Sequence, residues 1–98
     1  MVALTREEFF GDPAVSAGLD DFAEACLDAL EQGSEFPDPI GFLRGRGIEQ
    51  FPDGDIEVHH TVGVEPLRPL CPDGSDGCYP RCRIVKGQQQ CVWVCRCP

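Results

Sequence analysis

The chain has 98 residues, enough for one small domain or for one small domain with an appendage. It carries 17 acidic and 8 basic side chains, a formal charge of −9, and so excess of acid argues against nucleic acid as a partner. No apolar run is long enough for a membrane-spanning helix, and MVALTREEFF lacks the basic start and apolar stretch of a general secretory signal.

The charge is unevenly placed. Residues 1–70 carry 15 acidic against 4 basic side chains, whereas residues 71–98 carry Asp73 and Asp76 against Arg81, Arg83, Lys86 and Arg96. This split suggests an acidic region that screens a basic one.

Taken in order, Thr5 followed by Glu8 is a capping-box pattern and predicts a helical turn through Phe9 and Phe10. Asp12-Pro13 offers a second N-cap with proline at the first helical position. Val15, Leu19, Phe22, Ala23, Cys26, Leu27 and Leu30 then recur at steps of three and four, opposite Asp20, Asp21, Glu24, Asp28 and Glu31. That is an amphipathic helix, ended by Gly33, with Cys26 as a buried, inert thiol on its apolar stripe. Asp38-Pro39 starts a short helix through Phe42 and Leu43. Pro52-Asp53-Gly54 is turn chemistry, and Ile56, Val58, His60 and Val62 alternate with Glu57, His59 and Thr61 as in a strand. Residues 63–72, GVEPLRPLCP, have three prolines and no periodicity and read as a linker.

The remaining stretch holds six of the seven cysteines in the pattern C-x6-C-x3-C-x8-C-x3-C-x-C. Arg83–Val85 and Cys91–Val94 are β-branched segments expected to form a hairpin across KGQQQ, with Gly87 in its turn. Cys91, Trp93, Cys95 and Cys97 share one face of such a strand. Cys78 and Cys82 share a face if they sit on a helical turn.

Three chemistries are open to these sulfurs: disulfides, a metal site, or enzymatic modification. Zinc would use thiolates with His59 or His60, but no C-x2-C knuckle occurs, and adjacent histidines point to opposite sides of a strand. Lanthionine rings are limited by Ser75, the one Ser or Thr of the tail. Clustered cysteines suggest an oxidising compartment, and the expectation is synthesis in the cytoplasm with export of the C-terminal peptide. No nucleophile–base pair, paired carboxylates or phosphate-binding glycine loop is recognisable, so the chain reads as no enzyme and as needing no cofactor. The expected fold is a small α+β one: an acidic helical part with a short strand (1–62), a proline-rich linker (63–70) and a basic, cysteine-rich hairpin mini-domain (71–98).

Two resemblances add to this. Residues 39–62, PIGFLRGRGIEQFPDGDIEVHHTV, resemble the end of the nitrile-hydratase-like leader of bacterial modified-peptide precursors. The resemblance implies a leader bound by a modifying enzyme or a peptidase-transporter, with an edge strand over 55–62 as the recognition element. The C-x3-C, lone cysteine and C-x-C of the tail resemble the cysteine-stabilised αβ scaffold of defensins. That resemblance implies the pairing Cys71–Cys91, Cys78–Cys95 and Cys82–Cys97. It also implies an antimicrobial peptide. The basic side chains Arg81, Arg83, Lys86 and Arg96 around Trp93 would then give a cationic, amphipathic surface suited to anionic membranes, unless Trp93 is simply the core of the mini-domain. The reading is therefore a precursor of a cysteine-rich peptide. The alternative is an uncleaved small binding protein with a disulfide- or zinc-stapled C-terminal module.

Overall fold

Thr5 opens the first helix, α1 (Arg6–Phe10), with both halves of the capping box in place: its hydroxyl accepts from the Glu8 N–H, and the Glu8 carboxylate accepts from the Thr5 N–H. The protein is seen in a computed structural model that describes residues 4–52, 56–63, 68–71 and 73–96. Asp12 caps α2 (Pro13–Gln32), its carboxylate accepting from the Ala14 N–H at 2.8 Å. Gly33 ends α2 in the left-handed conformation (φ 71°), which glycine adopts without the clash a Cβ would bring. Asp38 caps the short α3 (Pro39–Arg44) by accepting from the Gly41 N–H at 2.7 Å.

The C-terminal part is an antiparallel sheet of β1 (Val58–Val62), β2 (Cys78–Val85) and β3 (Gln88–Cys95) in the order β1-β3-β2. The hairpin is longer than the sequence suggested, and its loop is two residues, not five. Lys86 (φ 53°) and Gly87 (φ 82°) both have positive φ, the primed turn whose twist matches that of paired strands. Gln88, Gln89 and Gln90, expected in the loop, belong to β3. A two-residue turn sets Val85 opposite Gln88 and carries the register down to Cys82 opposite Cys91 and Cys78 opposite Cys95.

The ladder can be followed bond by bond. Cys95 N–H donates to the Glu57 carbonyl and Gly63 N–H to the Gln89 carbonyl, so the odd-numbered residues of β3 turn their backbones toward β1. Arg96 N–H donates to the Gly77 carbonyl, so the even-numbered ones turn toward β2. Cys78, Pro80 and Cys82 therefore occupy non-hydrogen-bonded positions of β2. The missing N–H of Pro80 falls on the outer side of an edge strand, where no ladder bond is lost.

This corrects the expectation of a helical turn over Cys78–Cys82. A strand also puts both cysteines on one face, and it accommodates Pro80 mid-element, which a helix interior does not.

β3 is the central strand and is buried on both faces from Cys91 to Cys95. Val92 and Val94 point to the helices and join a core of Phe9, Val15, Leu19, Phe22, Ala23, Cys26, Leu27, Leu43 and Ile56. β1 comes from before the proline-rich segment, and β2 and β3 from after it. The acidic helical part and the cysteine-rich part thus share one sheet and one apolar core. Physically, a hairpin of this size lacks the area for a core of its own, and leaning on α2 supplies it. Residues 64–67 of the expected linker, and Asp53, Gly54 and Asp55 of the expected turn and strand start, lie outside the described residues.

Candidate functional site: the disulfide face of the sheet

The face of the sheet turned away from α2 carries Glu57, His59 and Thr61 from β1, Cys91, Trp93 and Cys95 from β3, and Cys78, Pro80 and Cys82 from β2. Each row follows from the strand register. Cys78 bonds to Cys95 and Cys82 to Cys91, as rungs directly across the hairpin, with Cα atoms 3.9 and 4.1 Å apart. Non-hydrogen-bonded pairs bring opposing side chains closest, which is why both rungs sit there.

The bond Cys78–Cys95 coincides with the one implied by the defensin resemblance. The other two do not hold as implied: Cys82 pairs with Cys91, so neither Cys71–Cys91 nor Cys82–Cys97 forms. A register set by a two-residue turn, rather than the spacing of a helix packed on a strand, decides the partners. Cys71 is itself disulfide-bonded, and Cys97 lies outside the described residues.

Trp93 lies at the centre of this face and is only 6% exposed. Its indole N–H donates to the Thr61 hydroxyl at 2.8 Å, and the Arg68 guanidinium sits 5.8 Å from its ring centroid. Trp93 therefore packs inside with Cys71, Cys78, Cys91 and Cys95, in a small cluster of its own on this face.

The loop ahead of β2 closes over the Cys78–Cys95 end. Cys71 N–H donates to the Ser75 carbonyl, Gly74 N–H to the Cys71 carbonyl, and Asp73 accepts from both the hydroxyl and the N–H of Ser75. The Ser75 hydroxyl, then its amide, hold the Asp73 carboxyl below the usual carboxylate range. Arg68 and Asp76 pair across the same loop. Gly77 lies so close beneath Cys71 that a Cβ there would stand 2.6 Å from the sulfur and 3.1 Å from the Arg96 carbonyl.

Three basic residues of the tail, Arg81, Arg83 and Arg96, face α2 instead. Arg83 reaches Asp28 at 2.7 Å, Glu24 at 2.8 Å and Glu31 at 3.3 Å, and the Asp28 carboxylate leads these in holding the guanidinium above its usual value. Arg96 reaches Asp20 at 2.8 Å and Arg81 reaches it at 3.2 Å. Lys86 is exposed at the hairpin tip. The screening of a basic segment by an acidic one is thus a direct contact between α2 and the hairpin. Cys26 is a free thiol, buried in the core, where desolvation pushes its pKa up to about 11.

His59 and His60 point to opposite faces: His59 toward the sulfurs, His60 toward Gln90 (2.9 Å) and the Phe36 ring. Ligand atoms of Glu57, His59 and Cys95 lie within 4.8 Å of one another, but the Cys95 sulfur is committed to Cys78 and offers no thiolate. Strand alternation already sets Glu57 and Thr61 on one row with His59; what it does not give is that this row lies on the sulfur face. The register of β1 against β3 makes that connection.

β1 is an edge strand whose only ladder partner among the described residues is β3. With 57, 59, 61 and 63 turned toward β3, the N–H and C=O groups of Val58, His60 and Val62 face outward. No helix among the described residues is long and apolar enough to cross a membrane. No family model matches the chain, and comparison with the curated proteins and with solved structures finds no match.

Proposed function

We propose that the chain acts intact, as a small disulfide-stapled binding protein that takes up an extended partner segment along the outer edge of β1. The observation that carries this reading is the outward row of backbone groups at Val58, His60 and Val62 on a strand backed by a stapled sheet. Main-chain hydrogen bonds to such an edge give affinity, and the flanking side chains give selectivity. Action as an intact chain is supported by the core that joins Phe22 and Leu27 of α2 to Val92 and Val94 of β3. Cutting between the two parts would leave both with exposed apolar faces.

The test is recovery of the tagged chain from its producing cells. A partner that co-purifies with the parent and with His60→Ala is expected to be lost with His60→Pro, which removes one outward N–H from the edge. Retention of the partner by the proline variant would mean that the edge is not the binding element.

The charge contacts favour a second reading, a precursor in which α2 sheathes the cationic hairpin until processing. A modifying enzyme or peptidase-transporter would then bind the acidic part. The released peptide would meet anionic membranes through Arg81, Arg83, Lys86 and Arg96, and its Val92 face would be uncovered by separation from α2. The mass of the mature species from the producer separates the two: a full-length oxidised chain for the first, a freed C-terminal peptide for the second.

A further inference from the structure

The two rungs of the hairpin lie in unlike surroundings. Cys78 and Cys95 are 2% and 0% exposed, under the loop that Cys71 anchors. Cys82 and Cys91 lie toward the turn end. Cys91 is 1% exposed, but Cys82, on the outer strand, is exposed to solvent. The side-chain amide of Gln89, two residues before Cys91 on the same face, donates to the Cys91 sulfur at 3.8 Å.

We propose that Cys82–Cys91 is a thiol-exchange site that takes up a small-molecule thiol at Cys82 and releases Cys91 as a thiolate held by Gln89. Exchange requires a thiolate to approach one sulfur in line with the bond that breaks, so access selects which sulfur is attacked. The incoming thiolate forms a sulfur–sulfur bond to Cys82. The Cys82–Cys91 bond breaks, and its electron pair leaves on Cys91. One disulfide replaces another, with no net oxidation and no further reagent. A thiolate at a buried position needs a hydrogen-bond donor in place of water, and the Gln89 amide supplies one. The exposed end of the face thus becomes a place where glutathione or a similar thiol is attached, while the covered rung keeps the hairpin closed. This inference is independent of strand addition at β1.

The experiment uses the full, oxidised chain with glutathione at neutral pH, quenched at intervals with an alkylating reagent and mapped by mass spectrometry. The expected first product carries glutathione on Cys82 and the alkyl group on Cys91, with Cys78 and Cys95 still joined. Gln89→Glu, which removes the donor and adds repulsion, is expected to slow the reaction about tenfold or more, the scale of one hydrogen bond to a charged group. An adduct on Cys91, first opening at any other cysteine, or an unchanged rate for a folded Gln89→Glu protein would overturn the proposal. The mapping needs no variant, so it decides the site even where the substitution disturbs the fold.

Discussion

Single residues differ in how far the fold protects them, and Cys26 is the clearest case. Its thiol is buried in the core on α2, where desolvation disfavours the thiolate. A raised folded-state value means that the neutral thiol's contribution to stability is complete below the unfolded value near 9.0 and is lost as pH rises toward about 11. Two outcomes are expected. Native protein at pH 8 leaves Cys26 unlabelled by an alkylating reagent, and Cys26→Ala removes part of the stability loss between pH 9 and 11, read by denaturant titration at stepped pH. Labelling of Cys26 in the native state as fast as in the denatured state would contradict its burial. Pro80 and Trp93 illustrate the same dependence on place. One is harmless because its nitrogen faces the outer edge, and the other is a core residue because Thr61 satisfies its indole N–H.

Among the elements, the hairpin depends most on two positions. Gly87 accepts a positive φ without cost, whereas Lys86 holds φ 53° with a Cβ present. Asparagine tolerates that conformation better, so Lys86→Asn is expected to raise stability by roughly 0.5–1 kcal/mol, and Gly87→Ala to lower it by about 1 kcal/mol. Thermal or urea unfolding of the oxidised protein measures both. Equal stability of the three proteins would mean that the turn does not adopt the primed geometry. The loop before β2 is held by different means, the Asp73–Ser75 turn and the tight seat of Gly77 under the Cys71 sulfur.

For the whole molecule, the decisive feature is the core that runs from α1 and α2 into β3. Phe22 is 1% exposed and packs in the cluster that includes Val92 and Val94. Phe22→Ala is expected to cost about 3–5 kcal/mol, the usual range for emptying a buried aromatic position. The informative readout is hydrogen exchange at the Val92 and Val94 amides, which pair with β2. If the two parts unfold as one unit, exchange at these amides accelerates in step with the lost stability. Hairpin amides that keep parent rates while α2 is destabilised would show instead a tail folded by its disulfides alone. The ion pairs between α2 and Arg81, Arg83 and Arg96 are partly exposed, so they direct the fit of the two parts more than they hold them together.

What the sequence by itself determined is local. The caps at Thr5, Asp12 and Asp38, the stop at Gly33 and the apolar stripe of α2 each depend on residues within a turn or two, and all are present. The shared face of Cys91, Trp93 and Cys95 is equally local, since strand alternation has period two. The tertiary structure decided which cysteines meet. Spacing places six sulfurs near one another, but the partners follow from register, and register follows from whether Lys86-Gly87 alone makes the turn. It also decided that Trp93 is inside and that Val92 and Val94 lean on α2. A central strand reads as half-buried until the element covering its second face is known, and here that element is α2 (Pro13–Gln32), far earlier in the chain and beyond the reach of any local pattern.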